Sequence, residues 1–467
     1  EDIIQTFFWL DENNRNTFHL FQLVRNPGKC NASDDKSVRY NDSDEWPAHA
    51  SVGMWIDYGM VNEFLREWCL RKEQLKSGGR FQRTNTLNGK STGLLPAVVL
   101  MKKDMTRKIA AINGENKFKC KGDFIMAKTI SLFNNKGGVS KTTTAFHLGW
   151  KLAEMGHKTL IVDTDPQCNL TGLCLNTDKE NKLSIFYEKN NYNIKDSLSP
   201  IFDNKPEPLQ PATCYEFADN PNLFLLPGHI DFSEYDATFN IAENLTGSIV
   251  MFRNVPGALE NLLQLTADKY DLEYILLDMS PSISSTNANI LMESDYFIIP
   301  CAPDYFCYMA IESLTKVFPR WNTTYQKLRE NDIFKSATYK MKATSPKFIG
   351  TIQQRYRPRN GSPVKAFSEW ITDINQLVSN KLVPVLQKNN MIAPNLSDYC
   401  TENYNLINIA DFNSLIAQSQ LHNTPVFLLT QEQIEKSGKV WTNMKKNRDD
   451  FNNTFTDFAN RIIKVTN

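Results

Sequence analysis

Eight consecutive residues, Lys136 to Thr143 (KGGVSKTT), hold two lysines, two glycines and three hydroxyl side chains. They follow an apolar run, TISLFN at Thr129 to Asn134, and precede a helical pattern from Thr144 to Met155. Strand, glycine-rich turn and helix in that order form a phosphate-binding loop, because successive backbone N–H groups and the helix N-terminus converge on an anion. In that geometry the backbone of Gly137, Gly138, Val139, Ser140, Lys141, Thr142 and Thr143 lines the phosphates. Lys141 reaches the β- and γ-phosphates, and the Thr142 hydroxyl holds Mg²⁺, which neutralises phosphate charge. Lys136 is the unusual member, a second lysine where an ordinary phosphate loop carries no charge.

Phosphoryl transfer also needs carboxylates, since its catalysis is mostly positioning and charge neutralisation. TLIVDTDPQCNLT (Thr159 to Thr171) reads as a β-branched strand that delivers Asp163 and Asp165 to its C-terminal end. YILLDMSPSIS (Tyr274 to Ser284) is a third apolar strand, ending in Asp278 with Pro281 three residues on. In a parallel sheet these strand ends lie beside the loop. Asp278 suits the metal's water shell, and Asp165 suits the attacking water. Asp163 has two readings, a further metal-site carboxylate or an acceptor for backbone groups near the loop.

KGGVSKTT, DTDPQ and DMSP in this order resemble the ParA/MinD ATPases, whose motifs are KGGxGKTT, DxDPQ and DxxP. The resemblance runs from about Ala127 to Lys464 through NLFLLPGHIDFSEYD (Asn222 to Asp236), YFIIPCAPDYFCYMAIESL (Tyr296 to Leu314) and IADFNSLIAQSQLHNTPVF (Ile409 to Phe427). It implies an ATP- and Mg²⁺-dependent hydrolase with weak, partner-stimulated turnover. Two subunits would sandwich two nucleotides, with Lys136 crossing to the partner's phosphates; Lys136, Lys141 and Asp165 would then carry catalysis. The implied role is a homodimeric switch that partitions DNA, cytoplasmic and associated with the nucleoid. Alternatives are positioning of a protein or membrane cargo without DNA, and nucleotide sensing with negligible turnover. Gln354, in KFIGTIQQRYRPRNG (Lys347 to Gly361), aligns with the family position that touches the adenine base. Ser140 departs from the family's glycine and puts a side chain close to the phosphates.

The elements that must position these residues are apolar strands alternating with helical patterns. They define an α/β fold, a doubly wound, mostly parallel sheet of the P-loop NTPase type with a poorly defined N-terminal extension. We expect an ATPase domain at 126–467 and an extension at 1–125, with helices at Tyr58 to Lys76. WIDYGMVNEFLREWCLRKEQL (Trp55 to Leu75) could be one helix of a DNA-binding module, although no turn signature accompanies it. Met126 stands where such an ATPase would begin.

Nine scattered cysteines without CxxC pairs read as reduced thiols in a cytosolic protein. No run approaches the ~20 apolar residues of a membrane span. Lys plus Arg and Asp plus Glu balance at 52 each, but Ile333 to Ser368 holds eight basic residues and no acid. That stretch is either a footprint for a phosphate backbone, or a solvated basic face or a set of nucleotide-contacting residues, and Lys340, Lys342 and Lys347 precede the loop at the nucleotide edge. Trp441, Met444, Phe451, Phe455, Phe458 and Ile462 form one apolar helix face. It lacks the Lys/Arg flank of a membrane anchor, so packing on the sheet is expected instead.

Overall fold

The protein is seen here as a computed structural model. It describes residues 126–175, 191–244, 250–356, 365–400 and 403–467, with side chains outside 355–366, and the backbone of strands at 2–10, 18–25, 39–40, 358–359 and 362–363. The chain divides into two units at Gly122 and Asp123. In the first, strands Asp2–Leu10 and Phe18–Arg25 pair antiparallel, with Arg39–Tyr40 on the far side of the second. The helices expected at Tyr58 to Lys76 lie outside the described residues.

The second unit is built on an eight-stranded sheet. In chain order its strands are β1 Lys128–Leu132, β2 Thr159–Asp163, β3 Tyr215–Phe217, β4 Asn220–Leu226, β5 Tyr274–Asp278, β6 Tyr296–Cys301, β7 Lys347–Tyr356 and β8 Asn405–Ala410. Their spatial order is β8-β7-β6-β1-β5-β2-β4-β3. Every pairing is parallel except β3 with β4 at the edge. All five residues of β2 and all five of β5 are buried, as strands with helices on both faces must be. The expected doubly wound sheet is what forms. The strand order reverses around β1 and β5, so their C-terminal ends open on the crevice where such sheets bind ligands.

Helix α1 (Lys141–Glu154) leaves the phosphate loop and packs across β2, β4 and β5. Gly149 makes that approach possible: a Cβ there would sit 2.4 Å from the Ile161 Cγ2 atom. Helices α2 (Val255–Tyr270), α3 (Ser285–Met292), α4 (Tyr305–Glu330) and α5 (Lys365–Leu377) complete the parts used below. The last helix, α6 (Gly438–Thr466), buries Phe451, Phe455, Phe458 and Ile462 against α1, β8 and the turn at Val426–Leu428. The aromatic face read from the sequence is therefore core. No helix among the described residues is long and apolar enough to cross a membrane.

His147 fastens α1 to this C-terminal layer. Its ring stacks between Phe412 and Phe455, at centroid distances of 5.0 and 5.2 Å. Nδ1 lies 2.7 Å from the Thr143 carbonyl and must donate to it; Nε2 accepts from Val426 N–H at 3.0 Å. Both bonds require the neutral ring, and burial holds its pKa down to about 4. A folded value below the unfolded one contributes stability that is complete above about pH 6.5 and is lost as pH falls through 4. Denaturant unfolding should therefore show about 3 kcal/mol of acid loss between pH 7 and pH 4 that is missing in His147→Gln. Equal acid slopes in the two proteins would remove His147 as the cause.

Candidate nucleotide site

β1 ends at Leu132, and its chain turns through Asn134 to Ser140 into α1. Asn134 organises the turn: Oδ1 accepts from Lys136 N–H at 2.9 Å, and Nδ2 donates to the Pro300 carbonyl at 2.8 Å. Ser140, the residue before α1, has φ 59 and ψ 33, in the left-handed region. A serine pays about 1–2 kcal/mol there relative to the right-handed conformation, and glycine pays none. The departure from glycine noted in the sequence therefore falls on the position where the backbone most needs one.

The loop's two lysines face different partners. Lys141 is buried, and its Nζ donates back to the carbonyls of Asn134 (3.1 Å) and Lys136 (3.2 Å). Burial lowers its pKa, while the carboxylates of Asp278 and Asp165 pull it up. Lys136 turns outward instead, and its ammonium pairs with Asp304, a carboxylate that the sequence did not single out. Asp304 also caps α4, accepting from Cys307 N–H at 2.9 Å. The signal was present in the Pro-Asp pair that begins the α4 pattern, which marks a helix start without naming its cation.

Three carboxylates meet at the ends of β2 and β5. Register places Asp163 directly beside Asp278. Asp163 is fully buried, and its oxygens accept from Asp165 N–H (3.3 Å), Thr171 N–H (2.8 Å) and the Thr171 hydroxyl (2.7 Å). Burial pushes its pKa up to about 6. Through these hydrogen bonds its oxygens brace the loop after β2. The same brace crowds position 228, where a Cβ would lie 3.0 Å from the Asp163 carboxyl carbon, and Gly228 N–H closes the turn on Thr171.

Asp165 is buried, its Oδ1 accepting from Gln167 N–H at 3.0 Å. Asp278 differs from both neighbours. Its carboxylate is buried, and neither oxygen has a hydrogen-bond partner at normal geometry. Burial raises its pKa well above the usual carboxylate range and Asp163 adds to the rise, while the Thr142 hydroxyl and the Lys141 ammonium act in the opposite sense. A buried, unpartnered carboxylate beside a hydroxyl and an ammonium has donor chemistry that fits Mg²⁺, an ion that takes one or two carboxylates and otherwise water and phosphate oxygens.

Gln354, read as a base contact, is 1% exposed, and its Nε2 donates to the Thr144 hydroxyl at 2.6 Å. That hydroxyl donates to the Ser140 carbonyl at 2.8 Å. The amide thus ties β7 to the loop end of α1. The basic stretch also reads differently in space. Lys342 lies among acids from distant segments: Nζ is 3.2 Å from Glu260 and 2.5 Å from Asp295, and its N–H donates to Glu293 at 2.7 Å. Lys347 donates to the Asn390 carbonyl at the first residue of β7, at the strand end opposite the phosphate loop. Arg355, Arg357 and Arg359 have side chains outside the described residues.

Comparison with known proteins agrees with this site. The family description "AAA domain" matches residues 127–331. An uncharacterised protein of Methanocaldococcus jannaschii is 28% identical over 263 residues, 55% of this chain and 82% of that one. The chromosome-partitioning ATPase Soj of Treponema pallidum is 32% identical over 191 residues, 41% of this chain, which spans 62% of the Soj protein. The solved structure of pnob8 ParA aligns with 73% of this chain and 98% of its own at 18% identity and a TM-score of 0.43. In its phosphate loop and its carboxylates at adjacent parallel strand ends, the chain is similar to P-loop ATPases of the ParA/MinD type.

Proposed function

We propose that residues 126–467 form an ATP-dependent switch that dimerises on nucleotide and positions a large cargo, DNA in the partitioning reading, with residues 1–125 as an extension. The observation that carries the nucleotide part is Asp278, a buried carboxylate without a hydrogen-bond partner beside Lys141 and Thr142. Mg²⁺ would supply the positive charge that these carboxylates call for, with ATP phosphates among its oxygen ligands. Lys141 and the N–H groups from Gly137 to Thr143 hold the phosphates, Thr142 and Asp278 hold the metal, and Asp165 orients the attacking water. Asp163 and Gly228 keep the loop after β2 in register with the site. Lys136 contributes across the dimer, from a position outside its own cradle.

Light scattering of the full chain with a slowly hydrolysed ATP analogue tests this reading. Wild type should run as a dimer, and Lys136→Ala should bind the analogue yet remain monomeric. A dimer unchanged by the substitution refutes the sandwich.

One observation favours a cargo other than DNA. Lys342, counted in the basic stretch, has its ammonium paired with Asp295 and Glu260, so the stretch offers a phosphate backbone less charge than its sequence suggests. Co-sedimentation with DNA in ATP and Mg²⁺ separates the two cargoes.

A further inference from the structure

Beyond β4 the chain enters a helix, Tyr235–Asn244, that lies outside the nucleotide cradle. Its base is fixed at the nucleotide end of the sheet, where Gly228 N–H donates to the Thr171 hydroxyl at 2.9 Å. Tyr235, Phe239 and Ala242, spaced at i, i+4 and i+7, bury one face of this helix. One residue further on, Asp236, Asn240 and Glu243 repeat that spacing and form a polar stripe beside the buried one.

All three polar residues reach the first turn of α3. Asp236 Oδ1 accepts from Thr286 N–H at 2.8 Å and from the Thr286 hydroxyl at 2.9 Å. Asn240 Nδ2 donates to the Ser285 hydroxyl at 3.2 Å, and that hydroxyl donates to Glu243 Oε2 at 3.0 Å. The other Glu243 oxygen accepts from the hydroxyl of Tyr325, a buried residue of α4, at 3.0 Å. The body of α3 is held separately, by buried Ala288, Ile290, Leu291 and Met292 and by Asn289 Nδ2, which donates to the Pro256 carbonyl at 2.8 Å. The stripe therefore fixes the start of α3 rather than the helix as a whole.

That start governs the loop after Asp278. Asn287, buried in the same turn, gathers the loop by donating from Nδ2 to the carbonyls of Ser280 (2.9 Å) and Ser282 (2.7 Å). Ser284 closes it as the cap of α3, accepting from Asn287 N–H at 3.2 Å. Ser280 is two residues from Asp278. Hydrogen bonds thus run from the polar stripe, through the first turn of α3, to the backbone beside the unpartnered carboxylate.

We propose that Asp236, supported by Asn240 and Glu243, is a positioning residue for ATP hydrolysis. By clamping the first turn of α3 it sets where the loop after β5, and Asp278 with it, stands against the nucleotide. This role rests on Asp278 as the metal carboxylate in the reading above, but the clamp itself requires no nucleotide.

The test compares the full chain as wild type, Asp236→Ala, Asp236→Asn and Thr286→Val. Three readouts are taken: hydrogen–deuterium exchange without nucleotide, affinity for a slowly hydrolysed ATP analogue, and single-turnover hydrolysis with Mg²⁺. Asp236→Ala should exchange about tenfold faster or more at 279–287, as loss of two hydrogen bonds predicts, with no change at 136–143. It should bind the analogue like wild type yet hydrolyse ATP about tenfold more slowly or worse, a loss in kcat without a loss in binding. Asp236→Asn should restore exchange and turnover, because an amide oxygen can accept the same two bonds. Thr286→Val, which keeps the N–H bond, should fall between, and it covers the case in which Asp236→Ala fails to fold. Unchanged exchange at 279–287 in Asp236→Ala or in Thr286→Val overturns the proposal. So does full turnover in Asp236→Ala, or a loss of analogue binding that matches its loss of turnover. A wild type without turnover defeats the ATPase reading, while the exchange measurement separately decides the clamp.

Discussion

Lys141→Ala is expected to abolish both ATP binding and turnover, whereas Asp165→Ala is expected to bind ATP with near-normal affinity and lose hydrolysis by 10²-fold or more. The contrast follows from where the two side chains end. Lys141 is buried inside the loop, hydrogen-bonded to two of its carbonyls and close to two carboxylates. Its removal takes away the charge that phosphates require and leaves Asp278 and Asp165 without the ammonium beside them. The Asp165 carboxylate caps the turn after β2, accepting from Gln167 N–H. Replacing it spares the cradle and deletes the group proposed to orient water. Equilibrium binding of a fluorescent ATP analogue, together with single-turnover hydrolysis, separates the two. Wild-type turnover in Asp165→Ala would sink the water-positioning role, and retained binding in Lys141→Ala would sink the phosphate loop.

Lys342→Ala should be among the most destabilising single substitutions in the chain, by about 3–5 kcal/mol, although the residue looks like an ordinary basic one in sequence. Its ammonium lies between Glu260 and Asp295, and Glu293 is held by Arg329 at 3.4 Å and by Lys342 N–H. Burial pushes the carboxyl of Glu293 up to about 8 and that of Glu260 up to about 7, and Lys342 draws both down. Without the cation those folded pKa values rise further above the unfolded ones. A carboxyl raised on folding contributes stability present at low pH and lost as pH rises through its folded value. The penalty of Lys342→Ala should therefore be small near pH 5 and full near pH 9, as read from urea midpoints at the two pH values. A pH-independent penalty would mean that the ammonium supports packing rather than charge. For the same reason, replacing Lys340, Lys342 and Lys347 together by Glu is a poor probe of DNA binding, because the protein would unfold before any contact was tested.

What the sequence determined by itself is the chemistry that lies close along the chain. The phosphate loop, its flanking strand and helix, and the carboxylates that end β2 and β5 were all legible. Each depends on neighbours within a few residues, and runs such as TLIVD and YILLD can be buried on both faces only in a parallel sheet. The aromatic stripe of α6 was legible for the same reason, through its helical period. The tertiary structure decided which distant groups complete these pieces. Lys136 meets Asp304 across 168 residues, and Gln354 meets Thr144 across 210. Lys342 finds its acids at Glu260 in α2 and at Asp295 just before β6, so a lysine from a stretch without acids in sequence is paired in space. The hold of Asp236, Asn240 and Glu243 on the first turn of α3 exists only because their helix packs beside α3. Spacing along a chain fixes which face a side chain occupies. Only packing fixes what that face meets, and burial then sets the charge state of what it finds there.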